Sequence, residues 1–348
     1  MKDRTKKRLK RTALVFACIF VLYFAVALWP RPHNYALDNP MMKEDRGMPI
    51  LIAHGGGNRE FPDNTLEAFY NAYSVDPRVM METDVSITRD GVVILSHDTT
   101  LDRKTNVTGA IADWNYTDLM AQKVDFGYTN PTKSGVLNGD RKHFVGPDGE
   151  EKYPTDVSYP AGVTPRDETV FLATTLEELL IAFPENRINV EIKQSGELGI
   201  RAAEEVIRLL EEYDAFDRVV LASFHNEIYN TFKDWQAEGK VPEEFMYSPG
   251  TAGAATFYAL QLLGLDLFFG DGMCVFQLPM EEYGINLATQ TMINSAHKHN
   301  LAVHYWTIND PEEMRYLIGI GADGIMTDYP HRLKEVYDSY IAAISPAH

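Results

Sequence analysis

The sequence predicts an α/β protein whose fold class is a (β/α)8 TIM barrel. Its 348 residues suit one large α/β domain. From residue 49 to 340, short β-branched runs alternate with amphipathic helical patterns. Eight such runs, each followed by a helix, favour a barrel over a doubly wound sheet. The candidate strands are residues 49–54, 79–85, 187–193, 218–224, 244–248, 265–271, 301–308 and 322–328.

Two features are added to this barrel. The stretch VSITRDGVVILSHD predicts a β-hairpin that turns at Asp90-Gly91. Residues 104–168 are rich in Gly, Pro, Asn and Asp and lack periodicity, which indicates an inserted loop-rich segment. Because this segment follows a barrel strand, we expect it to lie over the carboxyl-terminal mouth of the barrel. Long loops of this kind are usually functional.

A basic and then apolar segment precedes the barrel. Seven basic residues lie before an uncharged run of seventeen residues, from Ala13 to Trp29, and a membrane-spanning helix needs roughly 17–25. Positive charge before the run predicts a cytoplasmic N-terminus. We therefore predict a cytoplasmic basic segment over residues 1–11, a transmembrane signal anchor over 12–30 and a linker over 31–48. The alternative is a cleaved signal peptide, because Ala25-Val26-Ala27 has the A-x-A form. Either way the barrel, residues 49–340, lies outside the cytosol.

Charge and cysteine content argue against a nucleic-acid-binding protein and against a disulfide-rich one. The net charge is −18 although the first segment is strongly basic, so the predicted barrel is more acidic still. A nucleic-acid partner demands a basic face, and such a partner is therefore excluded. The chain has two cysteines, and Cys18 lies in the apolar run, so no disulfide framework holds the barrel together.

Charged side chains cluster at the carboxyl ends of the predicted strands, where barrel enzymes build their active sites. Glu82 and Asp84 are two residues apart on one strand, so their side chains point to the same side. Glu191 and Lys193 repeat this spacing on the next strand. The full set is His54, Glu82, Asp84, His97, Glu191 and Lys193. We expect these residues to meet at one rim of the barrel.

The residue types indicate metal-assisted phosphoester cleavage. Carboxylate ligands without cysteine suit Ca²⁺ or Mg²⁺, and two carboxylates on one strand would repel each other without a bridging cation. Two histidines can act as general base and general acid near neutral pH. A cation together with Lys193 would stabilise negative charge on a transferring phosphoryl group.

Six motifs resemble, in order and spacing, those of the glycerophosphodiester phosphodiesterase family of the phospholipase C-like TIM-barrel superfamily. They are AHGGGNREFPDNTLEAF, METDVSITRDGVVILSHDTTLDRKTN, TTLEELL, VEIK, YWTIN and GIMTDYP, and the match runs from about Ile50 to Arg332. The resemblance implies one divalent cation, Ca²⁺ or Mg²⁺, on Glu82, Asp84 and Glu191. It also implies catalytic roles for His54 and His97, and an insertion where residues 104–168 lie.

The sequence departs from the family at Gly55, where the family usually has an arginine that contacts the substrate phosphate. Lys193 and Arg59 are the predicted substrate-binding cations that remain. Three consecutive glycines, 55–57, suggest a wider site, so we expect a substrate larger than glycerophosphocholine, with residues 104–168 contacting the extra part. On this hypothesis Gly55→Arg improves turnover of small diesters.

Several other residues have weaker signals. Trp306 is either core packing or a wall of the substrate mouth, and the resemblance favours the wall. Asn64 either caps a helix or orients a site residue, and the cap is the favoured reading. Asp328 is predicted to cap or turn the chain at TDYP. The remaining singled-out histidines are predicted to be structural: His225, His297, His299, His304 and His331.

The predicted function is a membrane-anchored, extracytoplasmic phosphodiesterase that hydrolyses glycerophosphodiesters to glycerol phosphate and an alcohol. The first alternative is a lysophospholipase D or phospholipid lyase that acts at the membrane surface, which the polar character of residues 104–168 disfavours. The second is a non-catalytic binding module, which the retained histidines and carboxylates disfavour. The predicted partners are therefore a small phosphodiester or lysophospholipid-type substrate and the membrane.

Overall fold

A computed structural model of the chain describes residues 2–44, 47–129 and 142–344. Its strands are β1 (Ile50–His54), β2 (Met80–Ile87), β3 (Val93–Leu95), β4 (Tyr128–Thr129), β5 (Lys142–His143), β6 (Ile188–Ile192), β7 (Val219–Ala222), β8 (Met246–Tyr247), β9 (Val275–Leu278), β10 (Glu281–Glu282), β11 (Ile285–Asn286), β12 (Ala302–Tyr305) and β13 (Gly324–Thr327). Its helices are α1 (Lys2–Leu28), α2 (Leu66–Val75), α3 (Tyr116–Ala121), α4 (Leu176–Ala182), α5 (Gly196–Glu212), α6 (Asn226–Ala237), α7 (Thr251–Leu262), α8 (Gln290–Lys298), α9 (Pro311–Ile320) and α10 (Pro330–Ile344).

Eight parallel strands form a nearly closed barrel, as predicted. Their order is β8-β7-β6-β2-β1-β13-β12-β9, and each is followed by a helix. The two end strands are joined by a hydrogen bond from Cys274 N to Tyr247 O of 3.1 Å. Because each strand packs inward-facing and helix-facing residues alternately, nearly every strand residue is buried.

One predicted strand is wrong. Residues 265–271 contain a short 3₁₀ helix, Asp266–Phe268, and the sixth barrel strand is β9, Val275–Leu278. The apolar run LDLFF resembles a strand by composition, and periodicity cannot separate a short apolar strand from a short apolar turn. The other seven predicted strands are confirmed.

The hairpin is confirmed, and the inserted segment has short elements of its own. Strand β3 pairs antiparallel with β2, with Val85 opposite Leu95. Within residues 104–168 the structure describes two short 3₁₀ helices, helix α3 and the antiparallel pair β4–β5, while residues 130–141 lie outside the described residues. Phe126 and Phe144 of this segment are buried, and Phe126 belongs to the main hydrophobic core. Arg166 bonds Glu178 at the start of α4, so the segment is attached to the outside of the barrel.

The amino-terminal end of the barrel is filled by the linker that precedes β1. Tyr35 and Met41 join the apolar cluster inside the barrel, and the buried His304 Nε2 lies 2.8 Å from Met41 O. The Asn39 amide donates to Cys274 O and to Asn300 O. The barrel is therefore open to solvent at its carboxyl-terminal end.

The segment before the linker is one long helix, α1. Lys6–Leu28 is long and apolar enough to cross a membrane, and none of its most apolar window is buried. The last turns contact the barrel, since the Tyr23 hydroxyl donates to Leu263 O at 3.1 Å. An apolar helix at this position is either a signal sequence or an anchor.

Candidate active site

A cleft of about 200 Å³ opens at the carboxyl-terminal end of the barrel. It is lined by all six of the charged residues that the sequence predicted to meet, namely His54, Glu82, Asp84, His97, Glu191 and Lys193. The strand register explains this convergence, because β1, β2 and β6 are neighbours and Asp84 lies opposite Glu191. Trp306 also lines the cleft.

Three carboxylates form an acidic triad that could hold a metal ion. Oxygens of Glu82, Asp84 and Glu191 lie within 4.8 Å of one another. Burial and, next in size, the neighbouring Asp84 charge together raise the pKa of Glu82 to about 8. Burial also raises the pKa of Glu191. Negative charges are thus crowded in a buried place, and an all-oxygen donor set of this kind fits a hard divalent cation.

Two amide groups orient the triad. The Gly55 N–H donates to Glu82 Oε2 at 2.8 Å. The Asn64 Nδ2 donates to Asp84 Oδ2 at 3.0 Å, and its Oδ1 accepts from Thr83 Oγ1 and from Asp84 N. Partners of this kind fix the direction of ligating carboxylates.

The favoured prediction that Asn64 caps a helix is therefore wrong, and the contacts of Asn64 match the alternative that it orients a site residue. The cap of α2 is Thr65, whose side chain accepts from Ala68 N. Asn64 has a φ of +58°, which turns its side chain away from the helix and toward β2. Asparagine is among the residues that adopt this left-handed conformation most readily.

Lys193 lies between two of the carboxylates. Its Nζ is 3.0 Å from Asp84 Oδ1 and 2.8 Å from Glu191 Oε1. Burial lowers its pKa, but the two carboxylates outweigh burial and raise the pKa above its ordinary value. Lys193 is therefore a fixed positive charge at the edge of the triad.

His54 is held by the carboxylate of Asp328, a residue that the sequence predicts to cap or turn the chain. His54 Nδ1 lies 2.6 Å from Asp328 Oδ1, and Nε2 lies 4.0 Å from Glu82 Oε2. Burial lowers the pKa of His54, but Glu82 and Asp328 outweigh burial and raise it to about 10. The interpretation of Asp328 as a cap or turn residue is thus incomplete, because its side chain faces the site.

Asp328 is itself held by Asn309. The Asn309 Nδ2 donates to Asp328 Oδ2 at 2.7 Å. Its Oδ1 accepts from Thr327 Oγ1 and from Asp328 N. Neither Asn309 nor the role of Asp328 was predicted. The dipeptide Thr-Asp at 327–328 repeats the one in β2 at 83–84, but it also occurs at 117–118 and 155–156 and is therefore not a specific signal.

His97 has a similar arrangement. Its Nδ1 lies 3.0 Å from Asp98 Oδ1, and Arg103 Nε donates to Asp98 Oδ2 at 2.7 Å. The contact with Asp98 raises the pKa of His97. In both His54 and His97 a carboxylate engages Nδ1, which leaves Nε2 as the nitrogen available to a ligand in the cleft.

The base of the cleft has two polar groups without a protein partner. Asn189 Oδ1 and Gln277 Nε2 are buried, line the cleft and have no hydrogen-bond partner among the described residues. One is an acceptor and the other a donor. Buried polar groups of this kind need a partner, so a bound ligand or water would satisfy them.

Of the other two predicted substrate contacts, Trp306 lines the cleft and Arg59 does not. Trp306 forms an edge-on aromatic pair with Phe224, with ring centroids 6.1 Å apart, and both line the cleft. Arg59 is not among the residues that line it. The Arg59 side chain is 55% exposed, and its Nε lies 3.9 Å from Asp328 Oδ2.

The structure does not support a wider site at the three glycines. Gly55 is absent from the cleft lining. It has a φ of +55°, and a Cβ at this position would lie 2.8 Å from Asp63 Cβ. The lost side chain would therefore point into the protein, so glycine is required by the turn itself. No described residue of 104–168 lines the cleft either, so the described part of this segment gives no support to a contact with the substrate.

The histidines predicted to be structural have partners outside the catalytic contacts. His299 and His304 are buried near the linker, whereas His297 pairs with Asp323 and His331 with Glu60. His225 Nε2 lies 3.0 Å from the backbone oxygen of Lys193.

The fold and the site together define a barrel enzyme of the phosphodiesterase class. A family model described as the glycerophosphoryl diester phosphodiesterase family matches residues 54–332, and the chain belongs to this family. The predicted family resemblance is thereby confirmed.

Individual relatives agree with this assignment. A glycerophosphodiester phosphodiesterase of Caldanaerobacter subterraneus subsp. tengcongensis is 26% identical over 284 residues, which cover 82% of this chain and 96% of the relative. A lysophospholipase D of Rattus norvegicus is 25% identical over 323 residues, which cover 86% and 90%. A phosphodiesterase of Oleispira antarctica, solved in complex with the product sn-glycerol-3-phosphate, has the same fold with a TM-score of 0.58 at 19% identity, covering 84% of this chain and 97% of that one.

Proposed function

We propose that this enzyme is a metal-dependent phosphodiesterase that hydrolyses glycerophosphodiesters to glycerol phosphate and an alcohol. The observation that carries the proposal is one cleft that contains an acidic triad, a lysine and two carboxylate-paired histidines. The Caldanaerobacter relative carries this activity in its name. The unpartnered groups of Asn189 and Gln277 offer an acceptor and a donor for the hydroxyl groups of a glycerol moiety.

The geometry supports a two-step reaction. Glu82, Asp84 and Glu191 would hold a divalent cation, Ca²⁺ or Mg²⁺, which would supply positive charge near the phosphoryl oxygens. The glycerol hydroxyl next to the ester attacks phosphorus while the Nε2 of one histidine accepts its proton. The Nε2 of the other histidine protonates the departing alcohol. Water then opens the cyclic phosphate, with the two histidines, His54 and His97, exchanging roles.

A second candidate keeps the site and changes the substrate to a lysophospholipid. It is favoured by the name of the Rattus relative and by Phe224 at the cleft, whose side chain is 59% exposed. An exposed aromatic side chain beside Trp306 could contact an acyl chain or a larger head group. The two candidates differ in whether the substrate is free in water or held in a lipid aggregate.

An assay with two substrates and metal removal tests both candidates. The purified full-length chain in detergent is given glycerophosphocholine or lysophosphatidylcholine, first with EDTA and then with added Ca²⁺ or Mg²⁺. We expect release of choline from glycerophosphocholine that EDTA abolishes and one of the two cations restores. Faster release from lysophosphatidylcholine would assign the second candidate. Hydrolysis that is unchanged in EDTA would contradict the role of the acidic triad.

We also propose that α1 is a retained anchor that holds the barrel on the extracytoplasmic side of the membrane. Arg31 supports this reading, because its guanidinium donates to Val26 O and Ala27 O and forms a salt bridge with Asp266. The bonds from Arg31 hold the helical turn in which Ala25 and Ala27 lie, whereas peptidases cleave extended segments more readily than helical ones. N-terminal sequencing of the mature protein tests this. A chain that begins at Leu28 would show that the anchor is cleaved.

A further inference from the structure

An exposed apolar surface lies where α7 ends. Leu262, Leu263 and Phe268 are 63%, 57% and 66% exposed, and we call these three residues the basal apolar surface. The sequence from Phe245 to Leu265 contains no charged residue, although 24% of the whole chain is charged. Contiguous exposed apolar residues on a folded domain mark a place of contact with another apolar body.

This surface is at the end of the barrel opposite the cleft. It lies in the connection from α7 to β9, and such helix-to-strand connections lie at the amino-terminal end of a barrel. The linker confirms the location. Its Arg31 pairs with Asp266 inside this connection, and its Lys43 donates to Gly321 O, just ahead of β13.

The helix α1 leaves the barrel at the same place. The Tyr23 hydroxyl donates to the backbone oxygen of Leu263 at 3.1 Å, and a Cβ at Gly264 would lie 3.2 Å from Tyr23 Oη. The Arg31–Asp266 salt bridge is 95% buried on both sides and fixes the junction. Trp29, which follows α1 directly, is 64% exposed, and tryptophan is enriched at the boundary between a membrane and water.

We propose that the basal apolar surface enters the head-group region of the bilayer that α1 spans. The barrel then stands on its amino-terminal end, with the cleft facing away from the membrane. The inference rests on the retained anchor proposed above. The bilayer is the favoured occupant because an apolar helix that crosses a membrane beside Leu263 brings this surface into contact with the same lipids. A substrate would then reach the cleft from the aqueous side.

Site-directed labelling of the full-length chain tests the proposal. Cys18 is replaced by alanine, and Cys274 is fully buried, so a single new cysteine can be labelled with pyrene maleimide. The test variants are Leu263→Cys and Phe268→Cys. The matched control is Tyr283→Cys, an apolar residue that is 92% exposed in the β10–β11 turn, at the opposite end of the barrel. Each is reconstituted in phosphatidylcholine–phosphatidylglycerol vesicles, with or without a nitroxide on the lipid acyl chain.

We expect the nitroxide lipid to lower pyrene emission about threefold at positions 263 and 268 and to leave position 283 unchanged, because interfacial apolar side chains lie about 5–10 Å into the head-group boundary. Equal quenching at positions 268 and 283 would overturn the proposal, as would stronger quenching at position 283. Excimer emission at position 268 without lipid quenching would overturn it in favour of a second copy of the chain.

The experiment distinguishes two ways in which the inference can fail: α1 is cleaved, or α1 is retained but the basal apolar surface does not enter the bilayer. If the chain begins at Leu28 and does not float with the vesicles, the anchor is cleaved and the inference falls with it. If the chain floats with the vesicles and position 268 is not quenched, the anchor stands and only the basal apolar surface is wrong.

Discussion

Two asparagines hold two aspartates of the site in the same way: Asp84 lines the cleft, and Asp328 contacts His54. Asn64 binds Asp84, and Asn309 binds Asp328. In each pair the amide donates to Oδ2 of the aspartate, while its oxygen accepts from the aspartate N–H and from the hydroxyl of the preceding threonine. The same three hydrogen bonds thus occur on opposite sides of β1, in β2 and at the end of β13.

The two pairs differ in the side chain that contacts Oδ1 of the aspartate. Oδ1 of Asp84 meets Lys193 at 3.0 Å, inside the acidic triad. Oδ1 of Asp328 meets His54 at 2.6 Å. One pair therefore orients a proposed metal ligand, and the other orients a proposed acid–base group. The comparison teaches that position around the barrel, and not local hydrogen bonding, decides which part of the chemistry an aspartate supports.

The largest effect is expected from removing a charge of the triad itself. Glu82→Gln or Glu191→Gln should lower kcat/KM by about 10³-fold at saturating Ca²⁺ or Mg²⁺, because a charge-stabilising group is lost. Steady-state kinetics measure this, and circular dichroism checks that the variants fold. Glu185→Gln is a matched control, since Glu185 is exposed in the turn that precedes β6. Near-normal rates in either triad variant would remove that residue from the metal site.

The next effect is expected on the Asp328 side. Burial lowers the pKa of His54, and Asp328 is one of the three carboxylates that raise it, together with Glu82 and Asp84. Asp328→Asn should therefore lower this pKa and lower kcat by about 10²-fold, within the range for acid–base catalysis. The fraction of His54 that is protonated then declines at lower pH than in the wild type.

The pH dependence of kcat measures this shift. We expect the high-pH limb of the profile to move to lower pH in Asp328→Asn. His331→Ala is the control, because it removes another carboxylate-paired histidine that lies outside the cleft. A profile that Asp328→Asn leaves in place, with normal kcat, would contradict the coupling of Asp328 to His54.

A pair of alanine variants tests whether the two asparagines have separate roles. Asn64→Ala should raise the metal concentration for half-maximal activity by about 10–100-fold, because it removes a group that orients a metal ligand. Excess metal should then restore most of kcat. Asn309→Ala should lower kcat by about tenfold without any response to excess metal. Metal titrations of both variants give the answer, and equal metal requirements would show that the roles are not separate.

The sequence predicts the barrel and the charged residues of the cleft for the same physical reason. Parallel strands end at one edge of a barrel, so residues such as His54 and Glu191 can be placed together from strand positions alone. Seven of the eight strands were predictable because their β-branched runs are bounded by helical patterns. The remaining strand, β9, was missed, because the apolar run around Phe268 has the composition of a strand. In the structure this run forms a 3₁₀ helix with Phe268 exposed.

The supporting groups could not be predicted, because each joins parts of the chain whose distance depends on the folded barrel. Asp328 and His54 are 274 residues apart. Asn64 is only 20 residues from Asp84, but its side chain reaches β2 only because its backbone is left-handed. Sequence signals for caps and turns describe neighbours in the chain, so they favoured local roles for Asn64 and Asp328.

Glu82 extends the comparison, since this member of the triad is held by a backbone group. The Gly55 N–H donates to it at 2.8 Å, and no side-chain amide is involved. The turn that aims this N–H needs the φ of +55° and brings Gly55 against Asp63. A side chain at position 55 should therefore disturb both the fold and the support of Glu82.

The last and smallest expected effect compares two glycine variants. Gly91 also has a positive φ of +86°, but nothing lies within 4 Å of a Cβ there. Gly91→Ala should cost about 1–2 kcal/mol of unfolding free energy for the backbone alone. Gly55→Ala should cost about 1–3 kcal/mol more, because its methyl group meets Asp63. Thermal or denaturant unfolding measures the difference.

Because the larger side chain of Gly55→Arg meets the same obstacle, we expect this variant to be less stable and to hydrolyse small diesters more slowly. This is the reverse of the expectation from sequence. Equal stability of the two alanine variants, or faster hydrolysis by Gly55→Arg, would mean that the turn can open and that position 55 can face the cleft.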